Sequence, residues 1–270
     1  MRGKSRDPVD QIHAQCFDAT PHPIPLPFPR GEGIHHRSVA NPADSLVKVK
    51  HHRWLLVAML CALWHPGEAF AADNQPLYEN NFEKEALDKV PDEFLVLDGG
   101  FAVKEEDGNR FLELPGAPIG EGSGLLFGPT EKENVAASAR VFGTAKGRRF
   151  PAFGVGLNGQ GAGGYKLQIS PGKKLLELYK GETVIASTSY AWESGSWTVL
   201  RLQVRRVKER EWQVEGKVWK QGAAEPDSWP LSWTESAEPI PGRASIWGTP
   251  YATTPIRFDD LQMGRAAGKP

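Results

Sequence analysis

The 270-residue sequence predicts an all-β fold, a two-sheet antiparallel sandwich, on three observations. Short apolar runs are separated by Gly, Pro, Asn or Asp about every ten residues, the spacing of a sandwich or barrel. Several runs alternate apolar and polar residues with period two, so that each strand has one buried and one wet face. No helical periodicity outlasts a turn or two.

Taken in order, the runs predict strands over 77–82, 94–97, 101–105, 111–114, 125–127 and 135–142. They continue over 152–157, 165–170, 175–180, 183–187, 197–206, 212–220, 243–247 and 256–263. Tyr165, Leu167 and Ile169 share one face, with Lys166 and Gln168 on the other. Leu200, Leu202 and Val204 likewise oppose Arg201, Gln203 and Arg205, and Trp212, Val214 and Val218 point inward. Ser170–Lys173 and Lys180–Glu182 read as hairpin turns. The segment 223–241 is irregular and Pro-rich.

The N-terminal quarter reads differently. Residues 1–46 are Pro-rich and aperiodic, a composition that cannot bury a core, and form a leader or an upstream extension with the true start downstream. Residues 47–71 have the layout of a signal peptide. Lys48, Lys50, His51, His52 and Arg53 form a basic flank, Trp54–Trp64 an uncharged apolar run of 11 residues, and Ala69-Phe70-Ala71 a small-x-small cleavage signature. That run is far short of the roughly 20 residues that span a bilayer, so no stable membrane insertion is expected. The expectation is export to the periplasm or beyond after cleavage near Ala71, leaving one domain over 72–270.

Both cysteines and all seven histidines fall before residue 66. From Ala72 onward the chain has 24 Lys and Arg against 27 Asp and Glu, a net charge of −3, which gives no reason to expect a nucleic-acid partner. Without His or Cys, Ser-His-Asp and Cys-His catalysis and His-based metal chemistry are excluded from this domain. The glycines of 154–164 have the density of a nucleotide loop, but Tyr165 opens a strand where a helix would be needed.

The run Gly164-Tyr-Lys-Leu-Gln-Ile-Ser, then Leu175-Leu-Glu-Leu and Trp197-Thr-Val-Leu-Arg-Leu-Gln-Val, resembles the central meander of laminin-G-like domains. The closing Gly242-Arg-Ala-Ser-Ile-Trp-Gly and Ile256-Arg-Phe-Asp-Asp-Leu continue the likeness, which covers roughly residues 77–264. The resemblance implies a concanavalin A-like jelly-roll sandwich. That superfamily holds lectins, glycan-binding modules, glycosidases and lyases, so it does not choose a function. Its lyases typically use a Tyr–His pair that cannot be assembled here. Its retaining glucanases carry Glu-x-Asp-x-x-Glu, which this sequence lacks; the nearest approach is Glu209, Glu211 and Glu215 on one strand face. An ordinary solvated face, with Glu211 and Glu215 opposite Arg201 and Arg205, explains those three better.

Sugar rings stack on aromatic faces, which makes Trp219, Trp229, Trp233, Trp247 and Tyr251 candidates for ligand contact, with Arg140, Arg201 and Asn158 as hydroxyl partners. Trp197, Trp212 and Trp247 are large enough to be expected in the core instead. No cofactor is required. The resemblance implies a structural Ca²⁺ tying the first and last strands, for which Asn81, Glu83 and Asp259 are the oxygen donors at matching ends. Asp259 and Asp260 should point to opposite faces, so that only one of them ligates. The expected function is an exported, non-catalytic carbohydrate- or surface-binding sandwich whose partner is a glycan or an envelope protein. The alternatives are a glycoside-hydrolase-like enzyme using carboxylates and an envelope protein–protein module.

Overall fold

The computed structural model describes residues 75–116, 122–159, 163–251 and 254–266. The expected leader and signal peptide lie outside the described residues. Fifteen strands are seen among the described residues: β1 Tyr78–Asn80, β2 Leu95–Asp98, β3 Ala102–Glu106, β4 Asn109–Leu114, β5 Ser123–Glu131, β6 Val135–Phe142, β7 Ala152–Leu157 and β8 Tyr165–Ser170. They continue as β9 Leu175–Lys180, β10 Thr183–Ser189, β11 Trp197–Lys208, β12 Glu211–Lys220, β13 Leu231–Glu235, β14 Gly242–Thr249 and β15 Ile256–Arg265. Fourteen correspond to expected strands. The addition is β13, which lies within the segment read as irregular.

The strands form two sheets joined by antiparallel ladders. The eight-stranded sheet runs β13-β12-β11-β6-β15-β4-β3, with β1 also paired to β15. The seven-stranded sheet runs β10-β9-β8-β7-β14-β5-β2. The meander β7 to β10 therefore lies wholly in one sheet, and the hairpin β11–β12 wholly in the other. The expected two-sheet jelly roll is the observed architecture.

The core is what the alternation dictates. Ala137, Ala139 and Val141 of β6, Leu200, Leu202 and Val204 of β11, and Phe258 of β15 face inward from the eight-stranded sheet. Phe153, Val155 and Leu157 of β7, Leu167 and Ile169 of β8, and Ile246 of β14 face them from the other. Leu167 sits so close to β12 that a Cβ on Gly216 would stand 2.5 Å from its Cδ1 and 3.3 Å from its Cγ. The two sheets therefore interlock at that point, and only backbone fits there.

One ladder irregularity matters for the site. β15 carries a bulge between Asp259 and Gln262, with Asp260 at φ +47°. A bulge inserts an extra residue and breaks the up-down alternation. Asp259 and Asp260 consequently both reach Arg140 of β6, where strict alternation had sent them to opposite faces.

Candidate functional site

The expected ligand residues do not all come together. Arg140 (β6), Arg201 (β11) and Trp219 (β12) do converge: with Ser138, Val199 and Gln262 they line a groove of ≈ 390 Å³ on the outer face of the eight-stranded sheet. Its cations are already engaged, however. Arg140 Nη2 donates to Asp259 and to Asn109 Oδ1 (3.2 Å), its Nε lies 3.0 Å from Asp260, and its guanidinium stacks 4.5 Å above the Trp197 ring. Arg201 Nη1 donates to both oxygens of Glu225 (3.1 and 3.2 Å). Trp229 is covered on one ring face by Lys217 Nζ, 4.3 Å from its centroid, and that ammonium is held by Pro226 O and Glu225.

The other candidates are elsewhere. Trp233 is on the edge strand β13, register-paired with the inward Val214, and remains 38% exposed. Tyr251 follows β14, with Arg149 5.1 Å above its ring. Asn158 cannot meet a ligand. It is fully buried at the end of β7 with φ +62°, and its amide donates to the carbonyls of Glu131 (3.4 Å), Lys132 (2.8 Å) and Ile240 (2.8 Å). It staples three loops together.

The carboxylates of the glucanase alternative are dispersed. Glu209 stands in the exposed β11–β12 turn, off the strand face it was expected to share. Glu211 pairs with Lys208 (3.3 Å). Glu215 is buried and register-paired with Gln203, from which it accepts a hydrogen bond (2.7 Å), and Arg205 reaches it diagonally at 3.1 Å. Arg201 takes no part, because its register partner is Lys217.

The calcium donors are not gathered either. Asn81 and Glu83 line an open acidic cleft together with Asp260, but Asp259 is 1% exposed and committed to Arg140 and Asn109 Nδ2 (3.0 Å). Asn81 Oδ1 accepts from the Glu83 amide (3.4 Å), and Glu83 Oε1 from the Arg110 amide (3.1 Å). Among the described residues no cluster of three or more His, Cys, Asp or Glu side chains is arranged to hold a metal.

A second face has a different character. On the outer side of the seven-stranded sheet, the register aligns Gly124 (β5), Trp247 (β14), Gly154 (β7), Gln168 (β8) and Glu177 (β9) in one row. The next row holds Ser245, Gly156, Lys166 and Tyr179. Trp247 was expected in the core, as was Trp197. Only Trp212 is buried there; Trp247 and Trp197 stand half-buried on the outer faces of their sheets, because the inward positions of β14 and β11 fall on their neighbours.

The sequence makes Trp247 lie down. A Cβ on Gly124 would stand 2.6–2.9 Å from the six-membered part of the indole, so the ring rests over bare backbone. At its other end Nε1 donates to Ser245 Oγ (2.7 Å) and stands 3.3 Å from the Cβ position of Gly156. At Gly154 a Cβ would meet the Leu167 carbonyl oxygen at 2.2 Å, so β7 presents backbone alone between Trp247 and Gln168. Given ordinary strand spacing, β14 and β8 are separated by roughly 10 Å across this floor.

Polar groups border the indole. Lys166 Nζ stands 4.6 Å from the Tyr179 centroid and 5.9 Å from the Trp247 centroid. Tyr179 Oη donates to Glu177 Oε2 (3.0 Å), Ser170 Oγ donates to the same oxygen, and Lys173 Nζ donates to Oε1 (3.0 Å). Gln168 Nε2 donates to Ser170 Oγ (3.0 Å). Burial works to raise the Glu177 pKa, but the hydrogen bonds from Ser170, Lys173 and Tyr179 outweigh it and hold the carboxyl below its ordinary value. Burial, with the Glu177 bond, pushes the Tyr179 phenol up to about 12, so it stays a donor at neutral pH. Burial pulls the Lys166 ammonium below the usual lysine range, against the opposing fields of Glu182 and Glu177. The result is a flat aromatic surface next to fixed donors, the combination that binds a ring having one apolar face and a polar rim.

No family model matches the chain, and no curated protein matches it. Solved structures do. A protein of unknown function with a galectin-like fold from Bacillus subtilis matches with a TM-score of 0.53 at 11% identity, over 72% of this chain and 97% of that one. The carbohydrate-binding module CBM66 from Bacillus subtilis matches with a TM-score of 0.45 at 11% identity, over 64% and 95%. A marine PL-14 alginate lyase from Aplysia kurodai matches with a TM-score of 0.44 at 11% identity, over 71% and 99%. At this identity the first likeness shows the fold, a galectin-like jelly roll, and no activity.

Proposed function

We propose that this chain is an exported, non-catalytic carbohydrate-binding protein that holds its glycan on the outer face of the seven-stranded sheet. The observation that carries this reading is the Trp247 indole, laid flat over Gly124 and Ser245 with Lys166, Gln168 and Tyr179 beside it. The groove with Arg140, Arg201 and Trp219 is the weaker site, because its cations are already held by Asp259, Asp260 and Glu225. Export rests on the three-part layout of residues 51–72, and kinship with laminin-G-like modules on the meander motif of residues 164–204.

The test is a glycan array probed with three proteins: wild type, Trp247→Ala and Trp219→Ala. Removing a stacking platform costs about 1.5–3 kcal/mol, or some ten- to hundredfold in affinity. Trp247→Ala should lose retention on the glycans that wild type holds, with an unchanged circular dichroism spectrum, while Trp219→Ala keeps it. Loss confined to Trp219→Ala would move the site to the other sheet. Absence of retention on every glycan would overturn the reading. N-terminal sequencing of exported protein should find Ala72 or a near neighbour first.

A further inference from the structure

We infer that the ligand of this face is an acidic saccharide, whose uronate carboxylate is received by Lys166. The inference rests on the preceding reading of the face and names its substrate class.

Lysines elsewhere on this domain show what is unusual. Lys104, Lys132, Lys173, Lys180, Lys208, Lys217 and Lys220 each have a carboxylate within ion-pair distance, and Lys84, Lys89 and Lys174, which form no ion pair among the described residues, are exposed to water. Lys166 is half-buried, yet among the described residues no carboxylate forms an ion pair with it. Its neighbours are two aromatic rings, Tyr179 and Trp247. Glu177, on the outer face one row along, is spent on Ser170, Tyr179 and Lys173. Glu182, in the β9–β10 turn, acts on Lys166 only through its field.

Holding a cation in this way costs desolvation that the rings only partly return. An anion arriving above Lys166 recovers the remainder, since an ion pair gains strength where water is already thinned. The position of the ammonium suits a sugar substituent. A pyranose stacked on the indole has its ring over β14 and β5, and its exocyclic C6 extends beyond the ring edge. Lys166 stands on β8, across the bare floor of β7, where that substituent would reach. At C6 a neutral hexose carries a hydroxymethyl group and a uronic acid a carboxylate, and only the carboxylate neutralises the ammonium. Gln168, one row along on the same strand face, is placed for a ring hydroxyl.

The experiment compares matched probes by isothermal titration calorimetry. Oligogalacturonate and its fully methyl-esterified form share one sugar chain and differ in charge, and a sulfated galactan supplies an anion of other chemistry. Wild type should bind oligogalacturonate about tenfold or more tightly than the ester, with the margin shrinking as salt rises. Lys166→Met should abolish the margin, so that acid and ester bind alike, and Lys166→Arg should retain it. Equal binding of acid and ester by wild type would overturn the inference and leave the glycan-binding reading standing. So would a Lys166→Met variant that loses both probes equally at an unchanged melting temperature. Binding of the sulfated galactan alone would overturn the carboxylate assignment. Failure of every probe, with Trp247→Ala silent on the array, would take both readings down together.

Discussion

The interlock of the two sheets at Leu167 and Gly216 predicts a reversal of sign. Gly216 lies in β12, and a Cβ there would meet Leu167 Cδ1 at 2.5 Å, Cδ2 at 3.1 Å and Cγ at 3.3 Å. These are the three atoms that Leu167→Ala removes. Alone, Leu167→Ala empties a fully buried site and should cost about 3–5 kcal/mol. Alone, Gly216→Ala forces the leucine off its rotamer at about 1–3 kcal/mol, offset by some 0.5–1 kcal/mol from the reduced freedom of the unfolded chain. In the double variant the new methyl enters the vacated volume and the entropic gain remains. Gly216→Ala should therefore destabilise the wild type and stabilise the Leu167→Ala background, with a coupling of about 1.5 kcal/mol or more. Urea unfolding of the four proteins, with m-values compared to confirm two-state behaviour, measures it. Additivity within about 0.5 kcal/mol would refute the packing of β8 against β12.

Three further outcomes are expected. Glu177 has a folded pKa below its unfolded value near 4.3, so its contribution to stability is present at neutral pH and is lost as pH falls through the folded value. Thermal melts should show the gap between wild type and Glu177→Gln closing from pH 6 to pH 3, and a gap that widens would contradict the sign. Arg140→Met leaves the buried Asp259 carboxylate without its cation and should cost about 3–5 kcal/mol, while Arg140→Met with Asp259→Leu recovers most of it in urea titration. Asn158→Ala leaves the carbonyls of Glu131, Lys132 and Ile240 without its amide and places alanine at φ +62°, so it should cost about 2–3 kcal/mol in the same assay, with Asn158→Gly costing less.

The sandwich was legible because its strands obey alternation locally. Tyr165-Lys-Leu-Gln-Ile and Leu200-Arg-Leu-Gln-Val each declare their inner face without reference to the rest of the chain. β13 escaped because its inward row is Leu231, Trp233 and Glu235, which breaks the apolar pattern. Glu235 is 6% exposed and tolerated there because, beside the local Ala237 amide, Tyr165 Oη donates to it at 3.1 Å and Lys180 Nζ at 2.5 Å. Those partners lie 70 and 55 residues away in sequence.

The site was half legible for a similar reason. Lys166 and Gln168 read at once as the wet face of β8. Trp247 was assigned by size to the core, although its alternation with Ala244 and Ile246 put it outside. What lays the indole flat is Gly124, a residue on another strand, and register across strands is not written in any single segment. The same limit misplaced the Asp259–Asp260 pair, whose bulge sets both carboxylates on Arg140.

The central claim is that sugar meets Trp247 on the seven-stranded sheet. Nitrogen–proton correlation spectra, with the indole Nε1–H signals assigned by single Trp→Phe variants, test it most directly. Titration with oligogalacturonate should shift the Trp247 indole and the Gln168 side-chain amide and leave Trp219 and Trp229 in place. Shifts at Trp219 and Trp229 with Trp247 unmoved would contradict the account.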